Sequence, residues 1–276
     1  MKKQKAYCPA AISCIFRVWK NENQKAIGST GVGFTVNKGV VVTVSESDTT
    51  VLLFNDKEIF FPTVQTVLNS LTTQPLRVEI ETEFPLGYGF GISGASALAT
   101  AYAVNQLLHL GKTNLELALA AHDAEIENGT GLGTVATQCN GGFLLKIKPG
   151  IPGEYKRFSF EGTSIYSYPF KSLETKSIVT NEEIVQHVNK NADRALSQIQ
   201  RLPRPNLSDI LQIAERFVTE SNLVQNTNVR MIIDEIKEKG GYASMHILGH
   251  VVVSDMKLKN TNPIQLQIAN ETAHLI

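Results

Sequence analysis

A glycine-rich loop at residues 85–95 is the feature that most constrains how this chain can fold. Its sequence is Pro-Leu-Gly-Tyr-Gly-Phe-Gly-Ile-Ser-Gly-Ala. Before it, residues 76–84 alternate apolar and polar as in a half-buried strand, and after it residues 94–110 have helical spacing. Residues without a Cβ let several backbone N–H groups approach one anion, and the start of the following helix adds a positive potential. The pattern predicts a phosphate-binding loop, although glycines placed only for close packing would look similar.

The loop also contains a pattern typical of dinucleotide-binding domains. Residues 89–94 match G-x-G-x-x-G, which in that fold is followed by a second parallel strand ending in an acid about 20 residues later. Here a second helical pattern occupies 114–128, and several strand patterns precede the loop. The sequence therefore disfavours a dinucleotide-dependent oxidoreductase, and because it has no G-x-x-x-x-G-K-[ST] pattern it excludes a Walker-type loop.

The composition is typical of a globular protein whose ligand is a small molecule or another protein. The chain has 276 residues, 42% of them hydrophobic, which is enough for one large domain or two modest ones. Its 26 basic residues equal its 26 acidic residues, so no overall field attracts nucleic acid or a membrane. Breaker residues are densest at 149–153, and we expect a first domain over 1–152 and a second over 153–276.

Targeting signals and cysteine spacing give an expectation about location. Pro9, Ser13 and Arg17 interrupt the N-terminal apolar stretch, which is too short for a secretory core or a membrane span. The three cysteines cannot all pair within one chain and lack a Cys-x-x-Cys spacing. We therefore expect reduced thiols in a soluble, cytoplasmic protein.

The order of the remaining patterns predicts a β-rich first half and an α+β second half. Residues 31–36 and 40–44 are expected to form a hairpin around Asn37-Lys38-Gly39, followed by strands at 51–54 and 58–61. The second half has strand patterns near 154–168 and 242–254, and between them the helical patterns 181–200, 207–220 and 224–239.

Several polar side chains near the glycine-rich loop are candidates for chemistry. Ser93 places a hydroxyl where the loop meets its helix, where it could ligate a metal or cap the helix. Glu125 lies near the C-terminal end of the second helix, where a carboxylate is unfavourable unless a cation is near. His122 falls on an apolar helix face and is interpreted as a core residue. The His246 and His250 pair flanks a glycine outside any helix, so no zinc site is predicted there.

These motifs together resemble the GHMP kinase superfamily, and within it the archaeal pantoate kinases. The superfamily pattern P-x-x-x-G-[LFI]-G-x-S-[GSA]-A is matched by the glycine-rich loop. The pantoate kinase likeness extends in order along nearly the whole chain, through the N-terminal Cys8-Pro-Ala-Ala-Ile-Ser13, then Ala121-His-Asp-Ala-Glu125, Thr130-Gly-Leu-Gly133, Gly141-Gly142 and Ala243-Ser-Met-His-Ile-Leu-Gly249.

The resemblance implies a fold and an activity. The fold would be a two-domain α+β GHMP kinase fold, with an N-terminal nucleotide-binding domain and a ferredoxin-like C-terminal domain. The activity would be ATP-dependent phosphorylation of pantoate to 4-phosphopantoate in coenzyme A biosynthesis, by a homodimer. Ser93 and Glu125 would hold Mg²⁺, and the nucleotide phosphates would lie against Pro85, Gly87, Gly89, Phe90, Gly91, Ile92, Ser93, Gly94 and Ala95.

The sequence departs from the family pattern at one position that matters for catalysis. Thr134 stands where the pattern carries an acid, and a threonine hydroxyl is not a base near neutral pH. Because phosphoryl transfer needs little early deprotonation, we still expect an active kinase in which Ser93, Glu125 and Thr134 form the catalytic site. Kinases of homoserine or mevalonate, and a nucleotide-binding protein without catalysis, are the alternatives.

A cation for the carboxylate of the acceptor is not identified by any motif. Lys146, Arg157 and Arg230 are candidates by charge alone. Each is interpreted as a surface or strand-end charge, because lysine and arginine usually keep their charged ends in water.

Overall fold

The computed structural model describes residues 2–172, 178–247 and 249–276. Its strands are β1 (Lys3–Lys20), β2 (Ala26–Glu46), β3 (Val51–Phe54), β4 (Lys57–Glu58), β5 (Leu76–Glu81), β6 (Phe143–Lys148), β7 (Glu154–Phe158), β8 (Ser164–Ser172), β9 (Ala243–Met245), β10 (Gly249–Ser254), β11 (Ile264–Gln267) and β12 (His274–Leu275). Its helices are α1 (Pro62–Leu71), α2 (Ile92–Leu107), α3 (Asn114–Asn128), α4 (Thr134–Asn140), α5 (Glu182–Arg201), α6 (Leu207–Glu220) and α7 (Thr227–Glu238).

The first sheet is built around the long antiparallel pair β1 and β2. Its strands follow the order β12-β1-β2-β5-β3-β4, while β6 pairs with the first part of β2 and β7 pairs with β6. Within β2, Gly31–Phe34 faces β6 and Val41–Glu46 faces β5. One strand therefore borders two different neighbours along its length.

The hairpin expected around Asn37-Lys38-Gly39 is wrong, because β2 runs without interruption through these residues. A Cβ placed on Gly39 would lie 2.1 Å from the carbonyl oxygen of Cys8, beside a register shift in β1 between Pro9 and Ala11. Gly39 is therefore required by the close approach of two strands at a β-bulge and not by a turn.

Helix α2 lies against both long strands and against α1 and α3. It is buried on nearly every side, including Ala95, Ala99 and Ala103, so its small side chains allow close packing all round. Helix α3 begins with a capping box in which Thr113 and Glu116 exchange hydrogen bonds. The start of α2 lies beside the end of α3, since a Cβ on Gly94 would lie 3.0 Å from the Glu125 carboxylate.

The second sheet has the order β11-β8-β10-β9, and helices α5, α6 and α7 belong to the same half of the chain. This half is attached to β1 by polar contacts. Arg17 pairs with Asp193 at 2.8 Å, and the Asn189 side chain bonds both the N–H of Val18, at 2.8 Å, and its carbonyl, at 3.0 Å. The Phe16 ring meets the edge of Phe217 in α6. The mixture of sheets and helices agrees with the expected α+β class.

The domain boundary expected at residue 152 stays a prediction. Strand β7, which follows it, pairs with β6 in the first sheet, and β12 pairs with β1. Other differences concern element ends: α2 begins two residues earlier than expected, β4 covers only Lys57–Glu58, and α4 is not anticipated by the sequence patterns. The strand expected to reach Leu248 covers Ala243–Met245, and Leu248 itself lies outside the described residues. No helix within the described ranges is both long and apolar enough to cross a membrane.

We predict that Gly31→Ala destabilises the protein by about 2 to 4 kcal/mol. Gly31 has φ of +150°, and a Cβ there would lie 2.0 Å from the carbonyl oxygen of Ile15 in the neighbouring strand. Gly111→Ala is the control, because Gly111 also has a positive φ, +67°, but has no atom within 4 Å of the added Cβ. It should cost only about 1 kcal/mol. Urea unfolding of both variants measures this, and equal losses would contradict the steric explanation.

Candidate active site

The glycine-rich loop crosses from β5 to α2 through a series of left-handed residues. Gly87, Gly89 and Gly91 have φ of +80°, +76° and +68°, a region that residues with a Cβ rarely adopt. Gly91 is the N-cap of α2, and no side chain caps the first turn of that helix. The loop therefore brings uncapped N–H groups and the positive end of a 16-residue helix to one place.

Neighbouring elements leave no room for side chains at these glycines. A Cβ on Gly91 would lie 2.3 Å from the Thr134 γ2 methyl carbon and 3.0 Å from the carbonyl oxygen of Ala11. A Cβ on Gly89 would lie 3.1 Å from the β carbon of His246. The loop is thus held between β1, α4 and the turn before β10.

A cavity of about 290 Å³ lies between the glycine-rich loop and the turn that joins α3 to α4. One wall is formed by the loop and the first residues of α2, and the other by residues 128–134. The residues that line it are Ala11, Ser13, Phe16, Ser29, Pro85, Gly87, Gly89, Phe90, Gly91, Ile92, Ser93, Glu125, Asn128, Gly129, Thr130, Gly131, Leu132, Gly133, Thr134, Lys146 and Ile247. The space suits a polyphosphate held by backbone groups.

Most of the sequence-predicted site residues lie at this cavity. Ser93 is in the first turn of α2, and Thr134 is the first residue of α4. Gly94 and Ala95 are buried beneath the loop: a Cβ on Gly94 would lie 3.0 Å from the Glu125 carboxylate, and the N–H of Ala95 donates to the Gly91 carbonyl. Gln138 of α4 also reaches the loop, and nothing in the sequence singled it out.

Glu125 is a buried carboxylate in the cavity wall. It is 1% exposed, and its Oε2 atom has no hydrogen-bond partner among the described residues. Burial raises the pKa of Glu125 to about 7, while the N–H of Val135, which donates to the carboxylate, and the charge of Lys146 act in the opposite direction. An unpartnered carboxylate oxygen in a cavity is an incomplete site that a cation would complete.

Lys146 is the basic side chain that lines the cavity, so its interpretation as a surface or strand-end charge is wrong. It is 3% exposed, and its ammonium group donates to the carbonyl oxygen of Gly133 at 3.0 Å. Burial lowers the pKa of Lys146 to about 8, and attraction to Glu125 partly opposes this. The other two candidates lie elsewhere: Arg157 donates to the carbonyls of Gly141 and Asn140, and Arg230 donates to the carbonyl of Val224.

The histidines support the fold around the cavity. His122 is 3% exposed, as a core residue should be, and its Nε2 lies 3.4 Å from the carbonyl oxygen of Ile27. His246 packs its ring edge-on against Phe90, with centroids 4.9 Å apart, and its Nε2 lies 3.2 Å from the Ser167 hydroxyl. Burial lowers the pKa of His246 to about 3, so it stays neutral. His250 is partly exposed on β10.

The donor set of the cavity suits magnesium better than a softer metal. Within the described ranges, no group of three His, Cys, Asp or Glu side chains converges as a self-sufficient metal site. Magnesium usually binds through one or two carboxylates and completes its shell with waters and substrate phosphates. Glu125 with its unpartnered oxygen and the Ser93 hydroxyl provide a protein contribution of that kind.

Comparison with known proteins finds relatives that all point to one family. Residues 58–142 match the model of the GHMP kinases N terminal domain. The chain is 29% identical to a pantoate kinase from Methanocaldococcus jannaschii over 89% of this chain and 90% of that protein. It is 30% identical to a pantoate kinase from Thermococcus kodakarensis over 80% of this chain and 76% of that protein.

Solved structures resemble the whole chain. A phosphotransferase related to the CoA biosynthesis pathway superimposes with a TM-score of 0.83 at 26% identity, covering 99% of this chain and 98% of the other. A homoserine kinase from Cytophaga hutchinsonii gives a TM-score of 0.70 at 20% identity, covering 100% of this chain and 98% of the other. The second likeness concerns the fold alone.

We predict that Glu125→Gln stabilises the protein free of nucleotide and metal at pH 8 but not near pH 4.5. The folded-state pKa of Glu125, about 7, lies above its ordinary value of 4.5. The penalty for ionising it is therefore absent below pH 4.5, grows as pH rises to 7, and is complete above that. Glutamine removes the penalty, and since Lys146 loses an attractive partner, the net gain should be about 1 to 3 kcal/mol.

Urea unfolding in the presence of a chelator at both pH values measures this gain. Glu127→Gln is the control, because Glu127 is exposed on the same helix. A gain of the same size at both pH values would show that ionisation of Glu125 is not its cause.

Proposed function

Because this chain belongs to the pantoate kinase family of GHMP kinases, we propose that it transfers the γ-phosphoryl group of ATP to pantoate. The product is 4-phosphopantoate, an intermediate of coenzyme A biosynthesis. Two pantoate kinases align with most of the chain, and a phosphotransferase related to the same biosynthesis shares its fold. The chain is thus an ATP-dependent kinase of a small molecule.

The observation that carries the proposal is the pairing of a left-handed glycine loop with a buried carboxylate and a buried amine across one cavity. The loop and the start of α2 provide N–H groups for the nucleotide phosphates. Glu125 and Lys146 face the same space from the other wall. Phosphoryl transfer depends on placing the two reactants in line and on neutralising charge, and both requirements are met by such an arrangement.

Magnesium completes the arrangement in this proposal. Ser93 and Glu125 would hold the ion, which when bound neutralises phosphate charge and shields the γ-phosphorus from repulsion. The protein itself keeps the Glu125 carboxylate out of bulk water and in one orientation. The N–H of Val135 restrains one side of it, and Gly94 and Gly131 leave space for it, since a Cβ on Gly131 would lie 2.3 Å from its Oε1.

Lys146 is the proposed partner of the acceptor's carboxylate. Its ammonium is held by Gly133 next to Thr134, in a region from which bulk water is largely excluded. Thr134 would orient the acceptor hydroxyl through its own hydroxyl instead of removing the proton. A loose transition state tolerates late loss of that proton, so a carboxylate at this position is not essential.

The proposal extends to the organisation of the protein. We infer an N-terminal nucleotide-binding domain over 1–152 and a C-terminal domain over 153–276, a homodimer, and action in the cytoplasm without nucleic acid or membrane partners. These features rest on composition and on the family resemblance.

One alternative has a specific observation in its favour. Thr134 in place of an acid is compatible with a protein that binds nucleotide without turning it over.

We predict that purified protein forms ADP from Mg-ATP when pantoate is added, and not with homoserine, mevalonate or shikimate. Product mass confirms where the phosphoryl group goes. Turnover with another acid or alcohol would replace the acceptor, whereas nucleotide binding without turnover of any acceptor would support the non-catalytic alternative.

We predict that Ser93→Ala and Glu125→Ala each lower turnover with Mg-ATP about a hundredfold or more while the fold is retained. Both changes remove an oxygen proposed to hold the metal. Ser70→Ala on α1 and Glu127→Ala on α3 are matched controls that lie outside the cavity lining. Steady-state rates and circular dichroism check the outcome, and near-normal rates in either site variant would remove that residue from the metal site.

A further inference from the structure

Two consecutive carbonyl groups of the glycine-rich loop accept hydrogen bonds from residues of β1, α2 and α4. The Phe90 carbonyl accepts a hydrogen bond from the N–H of Ala11 at 2.9 Å. The Gly91 carbonyl accepts from the Gln138 side-chain Nε2 at 2.9 Å and from the N–H of Ala95 at 3.0 Å. In a planar trans peptide the N–H points opposite to the C=O, so these bonds also fix the directions of the N–H groups of Gly91 and Ile92. Both residues line the cavity.

Gln138 is the side chain among these contacts, and its surroundings are unusual for a glutamine. It is fully buried, and its Oε1 atom has no hydrogen-bond partner within the described part of the chain. A buried amide with one unsatisfied atom is unfavourable for stability. We therefore expect the hydrogen bond from its other polar atom, Nε2, to the Gly91 carbonyl to offset this cost through its role in the loop.

The position of Gln138 on α4 explains how it reaches the loop. Thr134 and Gln138 are four residues apart and lie on the same side of the helix. A Cβ on Gly91 would meet both the Thr134 methyl, at 2.3 Å, and the Gln138 Nε2, at 3.3 Å. The other end of α4 is held as well, since the Gln138 carbonyl accepts from the N–H of Ala273.

We infer that Gln138 is a positioning residue that orients the Gly91–Ile92 peptide for the nucleotide's phosphates. This role rests on the proposed function, because it presumes that the loop binds a polyphosphate. The residue acts through the loop and does not touch the substrate. Its removal should therefore weaken recognition of phosphate groups and leave recognition of the nucleoside part unchanged.

The test compares Gln138→Leu and Gln138→Met by calorimetry with three probes, ATP, inorganic tripolyphosphate and adenosine. Leucine removes the donor, and methionine removes it while keeping an unbranched side chain of similar length; neither adds a charge near the phosphates. Both variants should bind ATP and tripolyphosphate about tenfold more weakly, with adenosine affinity unchanged. Asn140→Ala is the control, because the Asn140 amide donates to the Ala136 carbonyl of its own helix instead of to the loop.

Each outcome decides the inference. Unchanged tripolyphosphate affinity in both variants would overturn it, and so would equal loss of adenosine and tripolyphosphate in variants that still melt cooperatively. Absence of tripolyphosphate binding in the unchanged protein would overturn it too. These measurements need no acceptor, so an error in the proposed acceptor appears only in the turnover experiment and is distinguishable from failure here.

Discussion

The Gly91 peptide is the point on which the rest of this structure depends. Strand β1, helix α2 and helix α4 all meet there within van der Waals distance, and only a residue without a side chain can occupy the position. Its left-handed conformation begins α2 and turns the loop toward the cavity. This one backbone turn is thus held in place by the packing of the long strands β1 and β2, the alanine-rich helix α2 and the short helix α4.

The electrostatics of the cavity oppose the stability of the empty protein. Glu125 and Lys146 are both removed from water. Burial raises the pKa of Glu125 and lowers the pKa of Lys146, and both shifts favour the uncharged form. No salt bridge within 4 Å joins them in the described structure, although each feels the charge of the other. Groups in this condition gain most when a ligand of complementary charge arrives, which is characteristic of sites arranged for ligands rather than for folding.

The sequence predicted the glycine-rich loop, helices α2 and α3 and the class of the fold, because these depend on local sequence patterns. The signal for the loop lies within about ten consecutive residues, in which a proline precedes the glycines and an apolar helix follows them. It did not predict that Lys146 is buried or that Gln138 bonds to Gly91, because both depend on how β6 and α4 are placed by strands far away in sequence. The mistaken turn at Asn37-Lys38-Gly39 has the same origin, since the Gly39 requirement comes from Cys8, some thirty positions earlier on another strand. The spacing of Thr134 and Gln138 was visible, but nothing local distinguished it from an ordinary helix turn.

The pairing of β12 with β1 joins Leu275 to Ala6, residues 269 positions apart in the chain. Strand β1 is synthesised before β12, so the N–H and C=O groups of β1 near Ala6 and Tyr7 have no strand partner on that side until β12 has been made. Contacts of such long sequence separation slow folding, and an open edge is the part of a sheet most prone to join another chain. Synthesis of this protein therefore includes an interval in which the first sheet lacks its outermost strand at this edge.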